Sequence, residues 1–347
     1  MYQKHNLISS KNRKMRIRIS VKLNCKLLHP ELNNYLYKIH RLKIMQRDFS
    51  LYQDLILTKM KILEKFSFYL FVLSLPLYAV AQQNAPSSVS LNRLGDRIYE
   101  VTGGSGANGG AFIGDYGVLL IDAKMNKESV DQTISEIRKL TDKPIRFLVN
   151  THSDGDHVAG NRFFPESVVF VAHENCRQEF FHPGRNGEPS SWNDPKLSAF
   201  IPSVTFSSKM DLYVDTKKVE LWYFGKGHTT GDIVIYFPDD KIAFVGDQIF
   251  EGRVQLIHSY KGGNSFAHVE TLQKMLETID AEKFCCGHNE PLDRNAVITH
   301  ISKMKDLQNK VSEYIGRNYN LERIKQEFSA DHGNLVETIY NELNASK

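Results

Sequence analysis

Ile145-Arg146-Phe147-Leu148-Val149-Asn150, followed at once by Thr151-His152-Ser153-Asp154-Gly155-Asp156-His157, is the stretch that decides the fold. The first six residues read as an apolar strand. The run from His152 to His157 then packs two imidazoles and two carboxylates into one turn of chain. Such a cluster at a strand end reads as a metal-ligand loop carried by a rigid sheet. Further His and Asp residues downstream, each in a Gly-rich turn, point to two metal ions rather than one. A hydrolytic metalloenzyme is the leading expectation.

Three more pieces extend the cluster. Gly225-Lys226-Gly227-His228-Thr229-Thr230-Gly231-Asp232 offers His228. Phe244-Val245-Gly246-Asp247 offers Asp247 at a strand end. Cys285-Cys286-Gly287-His288-Asn289 offers His288 after another short apolar run. Glycine beside each ligand allows a tight turn and close backbone approach. Imidazole and carboxylate suit zinc, iron and manganese without any thiolate. A carboxylate can bridge two ions held about 3.5–4 Å apart, and a metal lowers the pKa of bound water to roughly 7. His228 or His288 alone would more often be a surface or hydrogen-bonded residue. Four Gly-flanked pieces in order carry the metal reading. His173, His182, His258 and His268 lack that context and read as structural or surface residues, with His182 or His258 as candidates to line a pocket.

Around these pieces the pattern alternates between strand and helix. Strands are expected over residues 97–102, 111–114, 118–122, 145–150, 168–171, 204–206, 212–214, 219–224, 233–237 and 242–245. Helices are expected over 127–140, 158–164, 172–181, 265–279, 294–315 and 321–343. Residues 103–110 read as a flexible Gly-rich turn, and 183–202 as a long loop of the kind that often serves function. Sheet, helices, second sheet and helices again can sandwich two sheets between outer helices.

The amino-terminal part reads differently. Met60-Lys61-Ile62-Leu63-Glu64-Lys65 is a short lysine-bearing segment, residues 66–77 are almost wholly apolar, and Ala79-Val80-Ala81 is a small-residue cleavage site. That is a secretory signal peptide over 60–81, with an apolar run short for a spanning helix of about 20 residues. The protein is therefore expected to be exported, periplasmic or secreted, with no stable membrane anchor after cleavage. Residues 1–59 read as an upstream extension, disordered or not translated, with Met60 as the start. They carry +10 of charge in a chain of net +4, which leaves −6 for residues 60–347. The basic balance thus belongs to the extension. A nucleic-acid-binding arm there is the lesser alternative, and no nucleic-acid partner is expected. Cys25 lies in the extension, while Cys176, Cys285 and Cys286 show no disulfide framework and are expected as buried thiols.

In this order the pieces resemble the metallo-β-lactamase superfamily, which includes class B β-lactamases, glyoxalase II-type thioesterases and lactonases. The resemblance runs from residue 91 to about residue 291, within a domain spanning 82–347. It implies an α+β fold, a four-layer αββα sandwich with the active site at one edge of the two sheets. It implies a first metal site of His152, Asp154 and His228 and a second of Asp156, His157 and His288. Asp247 would bridge them, and Asp122 resembles the family's early structural aspartate. One position departs: the family's run is usually His-x-His-x-Asp-His, and Asp154 stands in place of the second His. Asp154 adds negative charge and a harder donor, which weakens the preference for zinc relative to iron or manganese. The superfamily's flavodiiron branch has Glu at this position and binds iron. The alternative is an Asp154 turned away from an incomplete first site. If it ligates, Asp154→His is expected to raise zinc affinity.

The activity this implies is hydrolysis of a small-molecule ester, thioester, lactone or β-lactam by a metal-bound hydroxide, with two zinc ions expected and iron or manganese as the alternatives. Asp156 and Asp247 are the catalytic candidates: Asp156 to orient the hydroxide and relay a proton, Asp247 to bridge. Thr151 and Thr229 are candidates for hydrogen bonds that fix neighbouring ligands. Trp192, Phe200 and Tyr223 are candidate apolar contacts for substrate, and 103–110 and 183–202 are expected to flank the pocket. A class B-like β-lactamase is a narrower reading, but the Cys-containing lactamases carry cysteine where Asp247 stands. A non-haem di-iron oxidoreductase and a non-catalytic metal-binding protein are the alternatives of another class. No flavin or electron-carrier motif supports the former. Ligands retained at six of seven positions speak against the latter.

Overall fold

The computed structural model describes residues 87–345, with short helical pieces at residues 38–39, 41–43 and 59. The signal-peptide stretch 60–81, Cys25 and nearly all of 1–59 lie outside the described residues. Among the described residues no helix is long and apolar enough to cross a membrane.

Two sheets form the centre. The first comprises β1 (Ser90–Arg93), β2 (Ile98–Thr102), β3 (Gly109–Ile113), β4 (Val118–Ile121), β5 (Ile145–Val149), β6 (Val169–His173) and β7 (Val204–Phe206), side by side in chain order. Pairing is antiparallel from β1 to β4 and parallel from β4 to β7. The second comprises β8 (Lys209–Val214), β9 (Lys217–Trp222), β10 (Val234–Phe237), β11 (Ile242–Gly246), β12 (Lys283–Cys286) and β13 (Leu292–Asp293), again in order, with a parallel step only between β11 and β12. Helices α1 (Lys127–Arg138), α2 (Gly155–Val158) and α3 (Glu174–Glu179) connect strands of the first sheet. Helix α4 (Ser265–Thr278) connects β11 to β12 of the second sheet, and α5 (Arg294–Gly316), α6 (Leu321–Gln326) and α7 (Gly333–Ala345) follow it.

The period-two rule of strands shows why the sheets are layered. In β4, Leu119 and Ile121 face the core between the sheets, while Val118 and Leu120 face the core that contains Val130 and Ile137 of α1. In β10, Ile235 and Phe237 face inward, while Val234 and Tyr236 face Leu272, Met275, Ile301 and Val336 of the helices. Central strands buried on both faces read as continuous apolar runs, as β4 and β10 do. The result is the αββα sandwich that the resemblance implied.

Three differences from the sequence expectation have clear causes. Gly109 and Gly110 belong to β3 rather than to a flexible turn, paired with Val101 and Glu100. A Cβ at Gly110 would stand 2.5 Å from the Phe244 ring of the opposite sheet, so the bare backbone there is a packing requirement. Ala172 and His173 are strand rather than helix because they pair with Thr205 and Phe206 of β7, a partner that local propensity cannot reveal. The single helix expected over 321–343 is divided into α6 and α7 by a 3-10 turn, Ala330–His332.

Gly110→Val is expected to destabilise the protein by about 1–3 kcal/mol through overpacking. The check is a lower urea midpoint with an unchanged slope; an unaltered midpoint would contradict this close approach of the sheets.

Candidate metal centre

The parallel steps in each sheet bring the ligand-bearing segments to one edge. β4 ends into Asp122, and its parallel neighbour β5 runs into the 151–157 loop. β11 ends into Asp247, and its parallel neighbour β12 runs into His288. His228 lies on the β9–β10 connection, whose Ile233 N donates to Thr151 O at 2.9 Å. All seven expected residues meet here as two adjacent groups, His152–Asp154–His228–Asp247 and Asp156–His157–His288, with ligand atoms within 4.8 Å of one another in each. Gly287 makes room for the assembly: a Cβ there would collide with Asp247 Oδ1 and crowd the His157 ring.

The imidazoles are fixed from behind, and this decides what they present in front. His228 Nδ1 donates to the Leu256 carbonyl at 2.9 Å. His157 Nδ1 donates to Asp122 Oδ2 at 2.7 Å. Thr151 Oγ1 donates to Asp122 Oδ2 at 2.8 Å, which leaves it to accept from His152 Nδ1 at 3.0 Å. Each ring's one neutral proton is thereby committed, and each Nε2 points a lone pair inward. Asp122 adopts φ +59° and also accepts from Thr151 N at 2.8 Å, so its carboxylate locks both His157 and the start of the loop. A left-handed Asp is uncommon, and such strain persists only where several bonds determine it.

Those lone pairs face carboxylates. Asp247 Oδ1 lies 3.1 Å from His157 Nε2, and Asp247 Oδ2 lies 3.2 Å from His288 Nε2 and 4.0 Å from both His152 Nε2 and His228 Nε2. Asp154 Oδ2 is 3.0 Å from His228 Nε2, and Asp156 Oδ2 is 3.0 Å from His288 Nε2. His152 Nε2, His157 Nε2 and Asp247 Oδ1 are buried without a hydrogen-bond partner. Buried polar atoms are rarely left so. Unpartnered lone pairs converging from His152, His157 and Asp247 are what divalent cations require, and the all-N/O donor set suits zinc, iron or manganese. Asp247, reaching both groups, is the side chain placed to bridge.

The electrostatics agree. Burial pulls the His228 imidazole down, yet the Asp154 carboxylate outweighs it and holds the ring up at about 9. Burial likewise opposes protonation of His288, which Asp156 and Asp247 hold at about 9. Burial alone would raise Asp247, but His157 and His288 keep it well below the usual carboxylate range. Protons stand in where a cation would sit. Cys286, next in the chain to Gly287, is not among the converging ligand atoms, and burial pushes its thiol up to about 12. Cys176, Cys285 and Cys286 are all buried free thiols.

The loops also find their places. In the 103–110 segment, Ala107 N donates to Asp156 O at 3.1 Å and Asn108 N to Gly287 O at 2.6 Å. From the 183–202 loop, Arg185 Nη2 donates to His258 Nδ1 at 3.1 Å. Both segments therefore border the centre. Thr229 N and Oγ1 donate to Asp232, at 2.9 Å and 2.6 Å, so Thr229 shapes the turn that carries His228. The apolar candidates are packing residues instead. Trp192 lies against Phe180, Phe200 against Phe170, and Tyr223 stacks on His173 at 3.8 Å. The ring beside the ligands is Phe250, stacked on His288 at 5.5 Å.

Sequence reasoning missed Lys261 and left His258 open. Lys261 Nζ meets Asp154 Oδ1 at 2.6 Å, and His258 Nε2 donates to Asp154 Oδ2 at 2.8 Å. Neither follows a strand end; the Gly262-Gly263 pair is the one local mark. The buried Glu179, which accepts from Ser153 and from Thr230 N, had no signal at all.

Comparison with known proteins agrees with this geometry. The family model described as Metallo-beta-lactamase superfamily matches residues 103–288. The 2,4-dinitroanisole O-demethylase subunit alpha of Nocardioides sp. (strain JS1661) is 26% identical over 147 residues, 41% of this chain and 41% of that protein, so the match spans less than half of that relative's length. The hydroxyacylglutathione hydrolase of Crocosphaera subtropica (strain ATCC 51142 / BH68) is 29% identical over 220 residues, 58% of this chain and 75% of that one. Among solved structures, a metallo-beta-lactamase from Pontibacter korlensis superposes with TM-score 0.51 at 18% identity, covering 62% of this chain and 99% of that one. This last likeness is one of fold.

Two outcomes are expected. Zinc binding to metal-free protein at pH 7.5 should release protons, because His228 and His288 hold theirs up to about 9. Affinity should therefore rise with pH up to that range and level off above it. Calorimetry in buffers of different ionisation enthalpy reads the release, and heats that do not depend on the buffer would contradict it. Asp122→Ala, which frees His157 and Thr151, should weaken zinc binding roughly 10–100-fold in a chelator competition; unaltered affinity would remove Asp122 from the support of the site.

Proposed function

The chain belongs to the metallo-beta-lactamase superfamily, and from that premise we propose that it is a hydrolase using two divalent metal ions, zinc first among them, on a small-molecule ester, thioester, lactone or β-lactam. The observation that carries this reading is the set of inward-facing Nε2 lone pairs interleaved with Asp154, Asp156 and Asp247. His152, Asp154 and His228 would hold one ion, Asp156, His157 and His288 the other, with Asp247 shared. Bound metal would supply Lewis acidity and lower the pKa of water.

The chain's own groups then divide the work. Asp247 is 4% exposed in its side chain and His157 is fully buried, whereas Asp156 and His288 are 31% and 26% exposed. Substrate would therefore enter from the Asp156–His288 side. Asp156, a carboxylate at that mouth, is placed to take a proton from the attacking water and pass it to the leaving atom. The Phe250 ring behind His288 gives this side an apolar backing. Arg185 and Tyr260, with the guanidinium 5.2 Å from the ring, border a separate cavity of about 350 Å³ that is lined by His258 and by none of the seven ligand residues.

The leaving group separates the branches. A chromogenic cephalosporin, simple lactones and thioesters, assayed with zinc-, iron- and manganese-loaded protein, would name the substrate and metal. One relative is named a hydroxyacylglutathione hydrolase, which puts thioesters first in that panel. Iron-dependent oxygen or peroxide turnover without hydrolysis would favour the di-iron redox reading instead. Export is part of the proposal: protein expressed from Met60 in a bacterial host should begin after Ala81, as read by intact mass.

Asp247→Ala is expected to lower kcat at least ~100-fold and to reduce bound metal per chain, in line with loss of a shared ligand. Full turnover at full occupancy would exclude the bridging role.

A further inference from the structure

Asp154 is divided between two neighbourhoods. Its Oδ2 faces the centre, 3.0 Å from His228 Nε2 and 3.6 Å from His152 Nε2. Its Oδ1 faces away, 2.6 Å from Lys261 Nζ. The Lys261 side chain is 11% exposed and that of Asp154 is 13% exposed, so the pair is largely shielded from water. Lys261 is held there from several directions. Its ammonium also donates to Ser153 Oγ at 2.8 Å, and Ser153 in turn donates to the buried Glu179. Its loop is tied to the His228 segment, with His258 N donating to His228 O at 2.8 Å and Asn264 N to Gly227 O at 2.9 Å. His258 Nδ1 accepts from Arg185, so His258 Nε2 carries the proton it gives to Asp154 Oδ2.

The charge balance gives this arrangement its meaning. A neutral histidine at position 154 would bring no charge to the first metal site. An aspartate brings one negative charge, in an interior where charges act strongly. The Asp154–Lys261 pair again brings none, while offering an oxygen donor in place of a nitrogen. We propose that Lys261 is a positioning residue of the first metal site, one that holds Asp154 Oδ1, neutralises the carboxylate and turns Oδ2 toward the ion, so that residues 154 and 261 act as one unit. This rests on the reading of the centre as a metal site. It also changes the expectation for Asp154→His: with Lys261 in place, that substitution leaves a buried ammonium beside the site without its carboxylate partner.

The test is a double-mutant cycle of Asp154→His and Lys261→Met. It has two readouts: melting of the metal-free protein and zinc affinity by chelator competition. Lys261→Met should lower the metal-free Tm by about 5–10 °C, since a shielded carboxylate loses its partner. The same variant should tighten zinc binding at one site at least ~10-fold, since the carboxylate then faces the ion uncompensated. A lysine with a merely structural role would lower both. Asp154→His alone should weaken zinc at least ~10-fold, and the double variant should regain that loss and part of the Tm. Tighter zinc binding by Asp154→His with Lys261 present, or effects that simply add, would overturn the proposal. Wild-type protein that takes up no divalent cation would overturn the functional reading beneath it. In that event non-additive Tm values would still support the pair, and additive ones would sink it.

Discussion

Imidazole lone pairs and carboxylate oxygens cannot be buried against one another unless something positive lies between them. At one edge of this sandwich, His152, His157 and His228 have each committed Nδ1 to a neighbour behind, and their Nε2 atoms face Asp154 and Asp247. The penalty for such unpaired buried acceptors amounts to several kcal/mol. Protons relieve part of it, which is why His228 and His288 hold theirs up to about 9. Divalent cations would relieve all of it and free those protons.

Much of the surrounding structure serves that arrangement. Two parallel strand pairs, β4–β5 and β11–β12, deliver Asp122, the 151–157 loop, Asp247 and His288 to the same edge. Three cores, one between the sheets and one outside each, hold these strands from both sides, so the ligand loops start from fixed points. Asp122 couples the loop to β4, Leu256 orients His228, and Asp232 shapes the turn before β10. None of these three need touch a metal, yet each sets where a ligand nitrogen points.

The sequence made the ligands legible because each sits beside glycine after an apolar strand. The layering was legible because the continuous apolar runs of β4 and β10 call for a core on each face. Lys261 was not legible: it is distant in sequence from Asp154, lies in a short 3-10 turn, and matters only through a contact that folding creates. Gly110 was misread for a related reason. A glycine run looks flexible until the Phe244 ring of the other sheet is placed against it. Trp192 and Tyr223 were suggested as substrate contacts by residue type alone, and their partners Phe180 and His173 account for them as packing. What local pattern conveys is which segments end at the edge; what it omits is which side chains neutralise one another once there.

Anomalous diffraction from crystals of the zinc-loaded protein, collected at the zinc edge, would locate the ions at this edge of the sandwich. Two peaks about 3.5–4 Å apart are expected, one among His152, Asp154 and His228 and one among Asp156, His157 and His288, with Asp247 between them. A centre with no peak, with the same imidazole and carboxylate positions filled only by water, would contradict a two-metal centre.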